Sequence, residues 1–379
     1  MARHRDESLE PAVLTAPGAI LREELEARGW TQKDLAEIMS RPEQTISKIV
    51  NSGKQITAET AVELGAAFGT SAQFWSNLEA NYRLRLAAKS PQDDAIARRA
   101  RLRSALPISE ITKRGWIRAF DGVAEMEREV CRFLGISDMG EAPVIAGGVC
   151  FRGSAGKVAA CPARLAWLKR VENLARRARV GSFSHRRLKD EGLARLISLT
   201  SEARGAASVA EALADCGVCF LIVPHLQRTY LDGAAFPLGE KRVVAISLRY
   251  DRIDCFWFTL MHELAHLIRD PKVGYADQFR SDDAGAVGES EADYAGDHKE
   301  ETVNRMAEDW LVPRKEYSAF VKDCDGHFSW VIIRAFADSI GRHPAIVLGR
   351  LMHDRLVKFS SHRRRLEKVS TYLQGQVSS

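Results

Sequence analysis

The sequence predicts a mainly α-helical protein with a small α+β domain, in four parts. They are an N-terminal all-α domain (15–90), a helical connector (91–205), the α+β domain (206–315) and a C-terminal helical subdomain (316–379). Three patterns predict this. Short apolar stripes of helical period crowd the first part, two β-type runs (218–223 and 242–248) follow a short helix at 209–214, and helix periodicity returns at 253–268, 300–310, 330–339 and 343–353. Pro17-Gly18 opens the first part, and Ser90-Pro91-Gln92-Asp93-Asp94 has linker composition.

Composition narrows the function classes. A chain of 379 residues exceeds one ordinary core, and 45% hydrophobic with 28% charged residues is globular composition. No apolar run approaches the ~20 residues that cross a bilayer. The opening Met1-Ala2-Arg3-His4-Arg5 has no apolar stretch of signal-peptide type behind it, so a cytoplasmic protein without a membrane role is expected. Seven scattered cysteines fit reduced thiols; Cys216 and Cys219 form a CxxC, but no second pair completes a four-thiolate site. The net charge of +5 permits a nucleic-acid partner without requiring one. Arginines crowd 98–118 and 164–179, as they do on solvated helix faces.

Within the first part, a helix over 32–39 turns Leu35, Ala36 and Met39 inward. Ser40-Arg41-Pro42 breaks it, and 43–50 makes a second helix with Ile46 and Ile49 buried. Ala36 is the small contact where the two cross. The outward residues Gln44, Thr45, Ser47, Lys48 and Asn51 are candidates for base edges or phosphates of double-stranded DNA, with Gln32 and Lys54 better placed for phosphates. A protein-interaction module is the other reading of such a helix pair. Together with 57–61 and 68–78, this spacing resembles the XRE-type helix-turn-helix, in its HigA antitoxin-like branch. That resemblance implies operator binding as a homodimer. Ser40 departs from the glycine many such turns carry, which asks it for an unusual backbone conformation. Trp75, Leu78, Tyr82 and Leu86 form one apolar helix stripe, read as core or as a pairing surface.

In the α+β domain, His262 and His266 lie four apart on an apolar helix, so both imidazoles reach one cation from one face. Glu263, on the adjacent edge, is positioned to move a proton between a water that the metal polarises and a leaving amine. Charged and polar side chains in so apolar a helix need partners. Two histidines leave zinc one protein ligand short, and Glu300 or Glu301 supplies it. Glu300 is preferred because it shares a face with Val303, Asn304 and Ala307, with Asn304 orienting a neighbour by hydrogen bonding. For an oxyanion-stabilising donor, His225, Tyr230, Tyr250, Tyr275 and His298 are candidates, with Tyr250 first because it precedes the metal helix closely.

The strand at 243–248, the run 249–266 with its His-Glu-Leu-Ala-His, and the later Glu-x-x-x-Asn-x-x-Ala-x-x-x-Leu-x-Pro resemble the ImmA/IrrE family of metallopeptidases over 206–315. The resemblance implies a zincin-like fold and a gluzincin-like zinc endopeptidase that acts on a regulatory protein, a repressor or a toxin–antitoxin partner. Val303 and Met306 depart from the family's usual alanine and phenylalanine. Two functions are therefore expected of the chain. One is a DNA-binding transcriptional regulator with a zinc endopeptidase domain. The other is an antitoxin-like autorepressor whose metal site is structural or sensory.

Overall fold

Apolar side chains recur every three or four positions in the first hundred residues, and the chain forms short helices there: α1 (Pro17–Arg28), α2 (Gln32–Ile38), α3 (Glu43–Val50), α4 (Ala58–Phe68) and α5 (Ala72–Ala87). The computed structural model describes residues 15–51, 53–87, 91–146, 150–151, 161–277, 297–373 and 375–377. The helical stripes close on one core that includes Leu21, Leu35, Ile46, Leu64 and Trp75. Thr31 caps α2, accepting the Asp34 N–H at 3.2 Å, while the Asp34 carboxylate accepts the Thr31 N–H at 2.7 Å. Between α2 and α3, Ser40 takes left-handed backbone with φ 49°. On α5, Trp75 is fully buried and Leu78 packs against the core, but Leu86 is 44% exposed, so the stripe leaves the core along the helix. Residues 1–99 form one compact unit and 100–379 another, the division falling within α6 (Pro91–Ala105).

The second unit runs through α7 (Ile108–Lys113), α8 (Val123–Leu134), β1 (Cys150–Phe151), α9 (Pro162–Arg177) and α10 (His185–Arg187), the last continuing through a π-helical turn into α11 (Leu193–Leu199). Then follow α12 (Val209–Ala214), β2 (Val218–Ile222), β3 (Gly233–Leu238), β4 (Lys241–Ile246), α13 (Ile253–Arg269) and β5 (Tyr275–Asp277). The last helices are α14 (Asp297–Leu311), α15 (Arg314–Cys324), α16 (Trp330–Ser339) and α17 (Pro344–His353). The strands form one sheet in the order β1-β5-β3-β4-β2, with β3 antiparallel to β4 and β5, and with β2 parallel to β4 and β1 parallel to β5.

Strand alternation makes this unit three-layered. Val218, Phe220, Ile222, Ala235, Val244 and Ile246 face α11 to α17, in a core that includes Phe256, Trp257 and Leu260. Cys219, Ala234, Phe236, Val243 and Ala245 face the other way, onto Ile111, Phe133, Trp167 and Leu168 of α7 to α9. Of residues 91–205, expected as a helical connector, α7 to α9 are thus a covering layer on one side of the sheet, while Leu188 of the π-helical turn and Leu196 of α11 pack on the other, and from Ala100 on they belong to the same compact unit as the sheet. Helical periodicity shows that these segments have apolar faces but not what those faces cover. Likewise 316–379 is no separate subdomain, since α15 to α17 pack into the core around α13.

Because β2 and β3 flank β4, the link between them crosses the end of β4 at Ile246. Helices of the covering layer pin that crossing. Trp167 Nε1 donates to the Val223 carbonyl at 2.8 Å, Arg114 to the carbonyls of Pro224 (3.0 Å) and His225 (2.8 Å), and Arg164 to that of Thr229 (3.1 Å). Among the described residues, no helix is long and apolar enough to cross a membrane.

Candidate metal centre and helix-turn-helix surface

The helix that carries the candidate ligands is buried almost all round, from Ile253 to Leu267, between the sheet and the helices beyond it. Arg252, just before it, pairs with Asp254 in its first turn, one contact being Nε to Oδ1 at 3.0 Å, and an acid there suits the positive end of the helix dipole. One turn separates His262 from His266, and their Nε2 atoms face each other at 3.0 Å. On α14, Val303 and Ala307 are buried against the core, and Glu300, on the same face, is carried inward with them. Its Oε2 lies 3.4 Å from His262 Nε2 and its Oε1 3.6 Å from His266 Nε2.

These distances fit a bound ion. Ligand atoms ~2.0–2.1 Å from a tetrahedral zinc stand about 3.3–3.4 Å apart, close to the separations here. Among the described residues, this is the group of His, Cys, Asp or Glu side chains whose ligand atoms all lie within 4.8 Å of one another. Two imidazole nitrogens and a carboxylate, 1%, 2% and 7% exposed, form a buried donor set of the kind that zinc takes. Glu301 is exposed.

Glu263, next to the first ligand, is fully buried and projects toward the start of β3. A Cβ added to Gly233 would stand 2.2 Å from its Oε1 and 2.9 Å from both Cγ and Cδ. Sequence patterning does not predict β3, whose Gly233 and Pro237 argue against a strand. A glycine within a strand also signals a close approach, and that signal applies at Gly233.

The candidate donors separate. Tyr275 of β5 stacks on the His266 ring, with centroids 4.1 Å apart. Together with Arg269 and Asp270 these two rings line a cavity of about 90 Å³. Tyr250 lies under the Arg249 guanidinium (5.0 Å), which also covers the Tyr230 ring (5.3 Å) and faces Asp232 at 3.6 Å. Tyr230 and His225 are exposed as residues, but partial desolvation of the His225 ring, then the Arg114 and Arg249 charges, push its pKa down. The side chain of His298 lies outside the described residues. Asn304 Oδ1 is buried and accepts no hydrogen bond among the described residues. Cys216 and Cys219 are free, and burial raises both thiols, as ordinary core cysteines.

In the first unit, α3 buries Ile46, Ile49 and Val50 and exposes Gln44, Lys48 and Asn51. Thr45, Ser47 and Gln32 are half-buried, and Lys54 is exposed. Arg41 binds Glu63 bidentately (3.0 and 2.8 Å), which ties the turn before α3 to α4. The buried Glu79 accepts the Ile56 N–H at 3.2 Å, which holds the segment after α3 to α5.

A short helix pair joined by a left-handed turn, its second member polar on the outside, defines a helix-turn-helix protein. Residues 21–75 match the helix-turn-helix family HTH_3, and through this unit the chain belongs to that family. It is similar to an uncharacterized HTH-type transcriptional regulator of Haemophilus influenzae, 44% identical over 66 residues, 17% of this chain and 62% of the relative. It is similar too to virulence-associated protein I of Dichelobacter nodosus (39% over 77 residues, 20% and 71%) and to antitoxin HigA-1 of Vibrio cholerae (41% over 63 residues, 16% and 59%). The chain thus spans less than two thirds of the first relative's length. Its N-terminal unit is a helix-turn-helix domain.

Proposed function

We propose that the chain is a DNA-binding regulator whose second unit is a zinc endopeptidase of the ImmA/IrrE, gluzincin-like type that cleaves a regulatory protein. The observation that carries this reading is the meeting of His262, His266 and Glu300, with a fully buried Glu263 next to His262 in the chain. When bound, zinc supplies Lewis acidity to the attacking water and the scissile carbonyl. His262, His266 and Glu300 hold it, the carboxylate offsetting one of its two charges. Glu263 takes a proton from the attacking water and returns it to the departing amine. The water oxygen ends on the carbonyl carbon and the proton on nitrogen, so the peptide C–N bond breaks without any redox step. Tyr250 and Tyr275 are the candidates to stabilise the oxyanion. The first unit brings the enzyme to an operator in double-stranded DNA as a homodimer, with Gln32, Gln44, Thr45, Ser47, Lys48 and Asn51 at the contact.

The test incubates purified protein with zinc and the regulatory proteins encoded beside its gene. Glu263→Gln is expected to keep zinc and to slow cleavage by about 10²–10⁴-fold. Undiminished cleavage overturns the reading. A second reading, an antitoxin-like autorepressor with a structural or sensory metal, is favoured by the similarity to HigA-1. It predicts that Glu263→Gln changes nothing, whereas Gln44→Ala with Lys48→Ala abolishes operator binding.

A further inference from the structure

The geometry points to Gly233 as the positioning residue of the site: its missing side chain leaves the space that the Glu263 carboxylate occupies, one residue on from the ligand His262. Glycine is not needed there for backbone reasons, because Gly233 is absent from the residues with positive φ and pairs regularly, with Ile246 of β4 and Asp277 of β5. What it provides is room. Rotating the carboxylate alone would not relieve a Cβ at this place, since Cγ of Glu263 is also within 2.9 Å of it. The whole side chain has to take another rotamer, in surroundings that leave it 0% exposed. Gly233 cannot retreat easily either, being laddered on both sides, with its neighbour Asp232 accepting the Ser247 N–H at 3.0 Å. The strand therefore acts as a fixed wall against which the acid is set.

This inference rests on the peptidase reading for what Glu263 does there, but not for the contact itself. Gly233→Ala, Glu263→Ala and the double variant are made in the full chain and compared by thermal unfolding. Gly233→Ala is expected to lower the melting temperature by several degrees in the parent and to leave it unchanged in Glu263→Ala. An equal drop in both backgrounds overturns the proposal, because the added methyl would then be meeting something else. Zinc affinity, read by chelator competition, is expected to stay within about twofold in Gly233→Ala; loss of zinc would make the role structural and overturn it too. Where the parent hydrolyses a substrate, Gly233→Ala is expected to cut kcat about 100-fold with KM little changed. Adding Glu263→Gln should then slow it no further, and a full additional loss counts against the proposal. A parent without hydrolysis defeats the peptidase reading alone, since the melting-temperature coupling remains its own test.

Discussion

The Tyr275 ring lies flat on the His266 imidazole, with planes 15° apart and centroids 4.1 Å apart. A stack of this kind is worth about 1 kcal/mol, and it fixes the rotation of a ring whose Nε2 must point at a shared ion. Tyr275→Ala should therefore weaken zinc binding roughly fivefold, and Tyr275→Phe should leave it unchanged, as read by competition with a chromogenic chelator. An equal loss in both variants would assign the effect to the hydroxyl.

Glu300 and Glu301 are neighbours in sequence that the helix sends in different directions. Glu300→Gln is expected to lower zinc affinity by roughly tenfold or more, because an amide oxygen carries no charge to offset the ion. Glu301→Gln, on the exposed side, should retain the full metal content. Equal losses in metal analysis of the two proteins would refute the choice of ligand.

Asp354, at the end of α17, ties that helix to α15. Burial would raise its pKa, but hydrogen bonds from His353 (3.3 Å), Arg350 (2.8 Å) and Tyr317 (2.8 Å) outweigh it and hold the carboxyl at about 2, against an ordinary 3.8. A carboxyl depressed in the folded state contributes stability above the unfolded pKa and loses it as pH falls through the folded one. Discounted for part exposure, the contribution is on the order of 1–2 kcal/mol. It should vanish between about pH 4 and pH 2. Urea unfolding of the parent should weaken over that window, and that of Asp354→Asn should start lower and vary less.

Ser40 holds a left-handed conformation that costs a side chain about 1 kcal/mol or more. Ser40→Gly removes that cost and gives back part of the gain through the freer unfolded chain. A net stabilisation of about 0.5–1 kcal/mol is expected, visible as slower amide exchange in α2 and α3. Faster exchange would show that the serine side chain contributes more than its backbone costs.

Where local pattern and local structure obey the same period, the residues announce the fold. The helix pair around Ser40, strands β2 and β4, helix α13 and the inward face of α14 all follow from spacing, and so does the turn that Ser40 must make. β3 does not. Its Gly-Ala-Ala-Phe-Pro-Leu carries a breaker near each end, and tertiary pairing overrides both. Pro237 is tolerated beyond the end of the β5 pairing, where β3 has β4 alone for a neighbour. Among the described residues β1 and β5 show only two and three strand positions, too few to display alternation. Of the candidate site, His262, Glu263, His266 and Glu300 are legible because one helical turn and one helical face relate them. The contacts of Gly233 and Tyr275 come from strands whose order in the sheet no local spacing encodes.

The covering layer of α7 to α9 determines where the chain can be cut. A fragment starting at residue 206, where the α+β region begins by sequence pattern, would strip one entire side of the sheet and leave Phe236, Val243 and their neighbours facing water. It would also release the crossing that enters β3 at Gly233. Such a truncation should be recovered as aggregate, whereas trimming within the first hundred residues ahead of Leu102 spares that apolar surface.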